Sequence, residues 1–206
     1  MPKTVVSTSA IDTLVVFERL LGIGSKIDLL WEGKVFCENI RIIEQKMVKI
    51  ALQLRANLEN VASFKPSPDC VWYLRLKCLN CGEQTSAWQT VEASNRSPMK
   101  GSRGEANLVL KCKLCNRENS MDVLNDKIQA YNADNSFEFV TVIVFECRGV
   151  EPVAFDARDG FTATAAESGT VFDDVKFESK EWAEYDEEGK QAVGIYDLEH
   201  NFIKVK

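Results

Sequence analysis

The sequence writes one small figure twice: Lys77-Cys78-Leu79-Asn80-Cys81-Gly82-Glu83, then Lys111-Cys112-Lys113-Leu114-Cys115-Asn116-Arg117. A Cys-x-x-Cys turn offers two sulfurs from one tight knuckle. Two such knuckles complete the four-ligand tetrahedron that Zn2+ adopts in structural sites. Cys78, Cys81, Cys112 and Cys115 are therefore the expected metal ligands, and Zn2+ the expected cofactor. A redox Cys-x-x-Cys normally stands alone at a helix start in a βαβ pattern, whereas here two occur in β-rich surroundings. Gly82 suits a knuckle, because the residue after the second cysteine often needs a positive φ. Four thiolates leave no open position for water or substrate. Around Zn2+ they carry a net charge of about −2, which blunts its Lewis acidity. The spacing points to a structural metal and away from an enzyme, and no catalytic or organic-cofactor-binding residue is assigned.

The remaining reactive residues read more plainly. Cys37, Cys70 and Cys147 have no partner at ligand spacing and fit small buried hydrophobes. His200 is the single histidine of the chain. Ser-His-Asp or Cys-His catalysis would have to use it, and its alternating surroundings suggest a surface or edge position. An enzyme would announce itself by a cavity with converging polar groups near His200 or Asp173. Asp173-Asp174 and Asp186-Glu187-Glu188 lack EF-hand spacing and read as a solvated acidic face. Glu167-Ser168-Gly169-Thr170 reads as a loop, since a nucleophile elbow needs G-x-S-x-G. Arg96, Lys100, Arg103, Lys111, Lys113 and Arg117 form a basic stretch opposed by Glu105. Its first reading is counter-charge for an anionic zinc–thiolate centre. The second is RNA or DNA binding through the Arg96–Arg117 patch, with Trp72, Tyr73 and Trp88 as stacking surfaces.

The elements that must position these residues are strands. Val48, Ile50, Leu52, Leu54, Ala56 and Leu58 alternate with polar neighbours, the period of a half-buried strand. Trp72, Leu74, Leu76 and Cys78 continue the habit. Ala106–Cys112 is another strand, Ser86–Glu92 a further one between the knuckles, and Val193–Leu198 and Asn201–Val205 a last pair. Phe137–Cys147 is apolar on both faces, as a central strand would be. Cys78 and Cys112 fall at strand ends, so each knuckle can cap a hairpin. From Met47 onward only Ser179–Gly189 has a helical look. Many short strands with Gly/Pro turns give an all-β class: two β-sandwich or barrel-like parts, with the four-cysteine zinc site in the N-terminal one. Residues 47–132 form the zinc-binding part and 133–206 an acidic part packed against it, with a seam near Tyr131–Asn135. Residues 1–46 form an extension, poorly ordered or loosely docked. Its helical spacing over Ile11–Leu21 breaks at Gly22-Ile23-Gly24-Ser25, which lacks the order of a phosphate loop.

At 206 residues the chain can bury a core unaided, and its net charge of −6 argues against a surface built wholly for nucleic acid. The apolar runs fall far short of the about 20 residues of a membrane span, and the N-terminus lacks the pattern of a secretory signal. A cytoplasmic location is expected, with the nucleus as the alternative reducing compartment, where thiols stay reduced. The expected state is a monomer with a protein partner.

From Met47 onward the chain resembles the eukaryotic CXXC-motif-containing zinc-binding proteins. The resemblance rests on Lys49-Ile50-Ala51-Leu52-Gln53-Leu54, Trp72-Tyr73-Leu74 leading to Cys78-x-x-Cys81-Gly82-Glu83, and Gly101-Ser102-Arg103-Gly104. It continues through Lys111-Cys112-Lys113-Leu114-Cys115-x-Arg117-Glu118-Asn119-Ser120, Phe145-Glu146-Cys147-Arg148-Gly149-Val150-Glu151-Pro152, Glu167-Ser168-Gly169-Thr170, Trp182-x-x-Tyr185-Asp186 and Val193-Gly194-Ile195-Tyr196. It implies a two-part β architecture, zinc held by Cys78, Cys81, Cys112 and Cys115 in the N-terminal part, and no established enzymatic activity. It does not reach residues 1–46, and an upstream start or a variant-specific addition would account for them. Three functions follow as expectations: a structural zinc supporting a protein-interaction surface, metal handling by exchange of zinc or copper(I), and RNA binding through the basic patch.

Overall fold

Period-two hydrophobicity becomes strand after strand in the computed structural model, which describes residues 29–31, 34–36, 47–100 and 103–206. The chain divides into two units, Met1–Ile43 and Glu44–Lys206. In the first, β1 (Leu29–Trp31) pairs antiparallel with β2 (Lys34–Phe36). The expectations for Ile11–Leu21, Gly22–Ser25 and Cys37 lie outside the described residues.

The second unit carries β3 (Met47–Glu59), β4 (Val61–Pro66), β5 (Trp72–Cys78), β6 (Gln89–Val91), β7 (Ser97–Pro98), β8 (Glu105–Ala106), β9 (Leu108–Lys111) and β10 (Glu118–Leu124). It continues with β11 (Tyr131–Asn132), β12 (Val140–Arg148), β13 (Val150–Asp156), β14 (Phe161–Ala165), β15 (Val171–Val175), β16 (Trp182–Asp186) and β17 (Gln191–Val205). The helical content among the described residues is two short 3-10 turns, Asn125–Lys127 and Ala133–Asn135. The described residues are thus nearly all β, as their alternation predicts.

A six-stranded antiparallel sheet runs in the order β16-β17-β3-β12-β10-β9. A four-stranded sheet, β11-β4-β14-β15, and a three-stranded one, β13-β5-β6, share its core. Trp72 sits at their junction, in ring contact with Phe145, Phe155 and Phe161. Strands from 47–132 and from 133–206 are interleaved in the six-stranded sheet, where β3 lies between β12 and β17. β12 is a central strand, as its two apolar faces require, with Val142, Ile143, Phe145 and Cys147 buried.

Three local expectations are corrected. Ser179–Gly189 is not helical but a β-hairpin region whose strand β16 pairs with β17 from Trp182↔Ile195 to Asp186↔Gln191. The two strands expected over Val193–Leu198 and Asn201–Val205 are one, β17, with a bulge between Tyr196 and Glu199 where Asp197 takes φ 52°. The strand expected over Ser86–Glu92 contracts to Gln89–Val91.

The topology explains how cysteines so far apart in sequence meet. β5 ends at Cys78, and the Lys77↔Gln84 bridge closes the first knuckle as a hairpin tip. β9 pairs with β10 through Lys111↔Glu118, so the second knuckle is also a hairpin tip. β12 pairs with β10 and β13 with β5, and the β12–β13 turn at Gly149 joins the two carriers. That one corner brings both tips to the same end of the fold.

Candidate metal centre

The two knuckles are built alike. In the first, Gly82 N–H donates to Cys78 C=O at 2.8 Å and Cys78 N–H to Glu83 C=O at 2.8 Å. In the second, Asn116 N–H donates to Cys112 C=O at 3.0 Å and Cys112 N–H to Arg117 C=O at 2.8 Å. Gly82 (φ 81°) and Asn116 (φ 59°) fill the same left-handed position. Glycine enters it without steric cost, and asparagine is among the residues that tolerate it.

All four Sγ atoms lie within 4.8 Å of one another. Cys78 Sγ is 3.8 Å from Cys115 Sγ, and Cys81 Sγ 3.5 Å from Cys112 Sγ. A tetrahedron with Zn–S bonds of about 2.3 Å has S···S edges of about 3.8 Å, and these two pairs lie near that value. Cys78 and Cys112 are buried, while Cys81 and Cys115 are half-exposed. The four residues singled out by spacing are therefore brought together, each from the predicted hairpin tip.

Backbone and side-chain donors aim at the sulfurs. The Asn80 side chain and then the Arg117 backbone hold the Cys115 thiol down to about 6. Asn80 Oδ1 in turn accepts from Arg117 Nη1 at 3.2 Å, so one asparagine ties the two knuckles together. Burial opposes ionisation of Cys78, yet the backbones of Cys81 and Asn80 and the side chain of Asn119 prevail and lower its pKa. At Cys81 the Glu83 backbone favours the thiolate, but burial and the neighbouring sulfurs push it up to about 12. A cation among the four sulfurs would favour their thiolate forms together.

A further layer was not visible in the spacing. Asn119, buried on β10, donates from Nδ2 to Cys78 Sγ at 3.5 Å. Its Oδ1 has no hydrogen-bond partner among the described residues. That oxygen packs onto Gly149 (φ 73°), where a Cβ would lie 2.4 Å from it. Gly149 C=O also accepts from Leu79 N–H at 2.9 Å. The first knuckle is thereby fastened to the β12–β13 corner twice, through sulfur and through backbone. The sequence signals for it were Asn119 itself, inside the resembling stretch Arg117-Glu118-Asn119-Ser120, and a glycine in Arg148-Gly149-Val150 between two strands.

The other candidates part company with the centre. Cys70 and Cys147 are buried, and burial first of all pushes each thiol up to about 12, as inert core sulfur. Asp186 is not on a solvated face. It is buried and accepts from Ser168 Oγ, Thr170 Oγ1 and Glu188 N–H, with Ser168 the chief cause of its lowered pKa. It pins the Ser168–Thr170 loop to the β16–β17 hairpin. Asp173 and Asp174 are exposed. In the basic stretch Arg96, Lys100, Arg103, Lys111 and Lys113 are exposed, and Lys100 N–H donates to Glu118 beside the second knuckle. The expected stacking surfaces are largely taken. Trp72 is core, Arg75 lies 4.8 Å over Trp88, and Arg158 4.1 Å over Tyr73. Leu79 and Leu114, by contrast, stand exposed on the two knuckles.

With this geometry in hand, known proteins supply the comparison. The family model for the eukaryotic CXXC motif containing zinc binding protein matches residues 51–203. A CXXC motif containing zinc binding protein of Mus musculus is 50% identical over 159 residues, covering 77% of this chain and 99% of that protein. A UPF0587 protein of Nematostella vectensis is 48% identical over 160 residues, 77% of this chain and 100% of its own. The crystal structure of C1orf123 matches with a TM-score of 0.72 at 47% identity, over 76% of this chain and 99% of that one. A hypothetical protein of Plasmodium falciparum, 24% identical with a TM-score of 0.68, shares the fold. These names carry no enzymatic activity.

Proposed function

Because the chain belongs to the eukaryotic CXXC motif containing zinc binding proteins, we propose that Cys78, Cys81, Cys112 and Cys115 close around one Zn2+ whose task is structural. On this reading the ion locks two hairpin tips into a single surface that receives a protein partner, without enzymatic chemistry. The observation that carries the reading is the set of four sulfurs within 4.8 Å of one another, two pairs of them at 3.8 and 3.5 Å, whose thiolates would fill the four-ligand shell of a structural zinc. The surface offers Leu79 and Leu114, apolar and exposed, beside Lys111 and Lys113. Apolar anchors rimmed by charge are what a protein partner needs.

A pull-down with intact protein beside Cys78→Ser/Cys81→Ser and Leu79→Ser/Leu114→Ser tests this. The cysteine variant should lose zinc and partner together. The leucine variant should keep zinc and lose the partner. A partner retained by both variants would overturn the reading. Metal handling is the second reading, favoured by the half-exposed Cys81 and Cys115, which an incoming thiol can reach. It requires chelators to draw off zinc with the melting temperature unchanged. The structural role requires that temperature to fall.

A further inference from the structure

A cavity of about 420 Å3 opens beside His200 of β17, with no cysteine in its lining. Its size is that of a small-molecule site, about 300–1,000 Å3. Buried Leu54, Phe155, Phe177 and Leu198 give it an apolar floor. Its charged groups sort into pairs and one remainder. Asp156 accepts from Arg158 at 2.8 Å, and Glu199 pairs with Arg55. Lys180 has no ion-pair partner among the described residues. His200 is fixed in orientation. Its Nε2 accepts from Phe155 N–H at 3.3 Å, and its ring meets Phe155 and Phe202 edge-on. That acceptor role leaves Nδ1 as the proton-bearing nitrogen of the neutral ring. Burial, then Lys180, keeps His200 in that neutral form by lowering its pKa.

The residues presenting Lys180 are conformationally costly. Ser179 (φ 52°) and Lys180 (φ 72°) are the two central residues of a hairpin turn closed by the Glu178↔Glu181 bridge. Two left-handed residues in a row suit Asn-Gly, and a lysine there gains nothing for the fold. Strain held at the rim of a cavity is a feature of ligand sites. Lys180 C=O also accepts from Leu198 N–H at 3.2 Å, which seats the turn against the floor strand.

We propose that this cavity binds a small organic monocarboxylate with an apolar body, its carboxylate on the Lys180 ammonium and its body on Phe155 and Phe177. A monoanion is specified because Asp156 and Glu199 share the rim. A dianionic phosphate would meet both carboxylates with one unpaired ammonium to balance it. Benzoate is the probe. His200 is the single histidine of the chain, so its ring signals in the NMR spectrum of the full-length zinc-loaded protein report on this cavity alone. Benzoate should shift them saturably at millimolar concentration, while benzamide should not and phenyl phosphate should bind more weakly. Lys180→Gln should weaken benzoate by about tenfold or more with the melting temperature unchanged, as for loss of one charge partner. Lys180→Gly should weaken it equally while raising the melting temperature, because glycine relieves the turn. No saturable shift in the unmodified protein, an equal response to benzamide, or undiminished binding in Lys180→Gln would overturn the proposal.

Discussion

If Cys78 holds the zinc as proposed, Asn119 and Gly149 aim that ligand without touching the metal. Asn119 spends one amide hydrogen on Cys78 Sγ, and its oxygen fits against a glycine where no other residue fits. Partners at this remove typically govern about 10–100-fold of metal affinity. Gly149→Ala should therefore displace Asn119 and weaken zinc retention over that range, measured by competition with a chromophoric chelator. Asn119→Ala should produce a similar loss. The double variant should be little worse than either single one, because both act on the same N–H···S bond. Zinc affinity in Asn119→Ala equal to that of the unmodified protein would rule out this aiming role. The four cysteines could be read from spacing because Cys-x-x-Cys is a local figure. Asn119 could not, because its partner lies on another strand and an asparagine in a strand carries no pattern of its own. Asp186 misled for a related reason. It stands in an acidic run, and the Ser168 and Thr170 hydroxyls brought from another hairpin, with the Glu188 N–H, make its burial tolerable.

At the scale of elements, the matched knuckles give an internal comparison. Gly82 and Asn116 occupy one conformation in two copies of the same turn, and nothing lies within 4 Å of a Cβ built on Gly82. Gly82→Ala is thus free of clashes and should cost the backbone strain alone, about 1 kcal/mol. Asn116→Gly should shift stability by a few tenths of a kcal/mol or less, since asparagine already tolerates the left-handed region and glycine adds freedom to the unfolded chain. Thermal denaturation of the zinc-loaded variants separates the two; a loss for Asn116→Gly as large as for Gly82→Ala would contradict the equivalence of the knuckles. Strands with clean alternation, such as Trp72–Cys78, were legible because their two faces differ. Ser179–Gly189 was not. Trp182 and Asp186 are its buried residues, and a spacing of four satisfies a helix turn and an every-other-residue strand alike. Pairing with β17 decides between them, and that contact is non-local. The bulge that merges two predicted strands into β17 escaped for the same reason, since Asp197 looks like an ordinary turn residue until β3 is seen pairing on both sides of it.

At the scale of the molecule, the question is what residues 47–206 need in order to fold. β3 opens this stretch at Met47 and is paired along its length, with β12 on one side and β17 on the other. Every strand of the six-stranded sheet, the aromatic junction at Trp72 and all four cysteines of the candidate centre lie within it. The family match likewise spans residues 51–203, and the 159-residue alignment to the mouse relative accounts for 99% of that protein. A stretch of this size buries most of the surface its unfolded chain exposes, so a core can form from it alone. A protein beginning at Met47 should therefore unfold in one cooperative transition and carry one zinc per chain by elemental analysis. Zinc removal from it should lower the midpoint while leaving a cooperative transition, because the buried cluster from Ile50 to Leu198 is built from sheet faces and not from the knuckles. Loss of cooperativity on truncation would show that the first 46 residues complete the core. Loss of cooperativity on zinc removal alone would show that the clamp, and not the sheets, holds the molecule together.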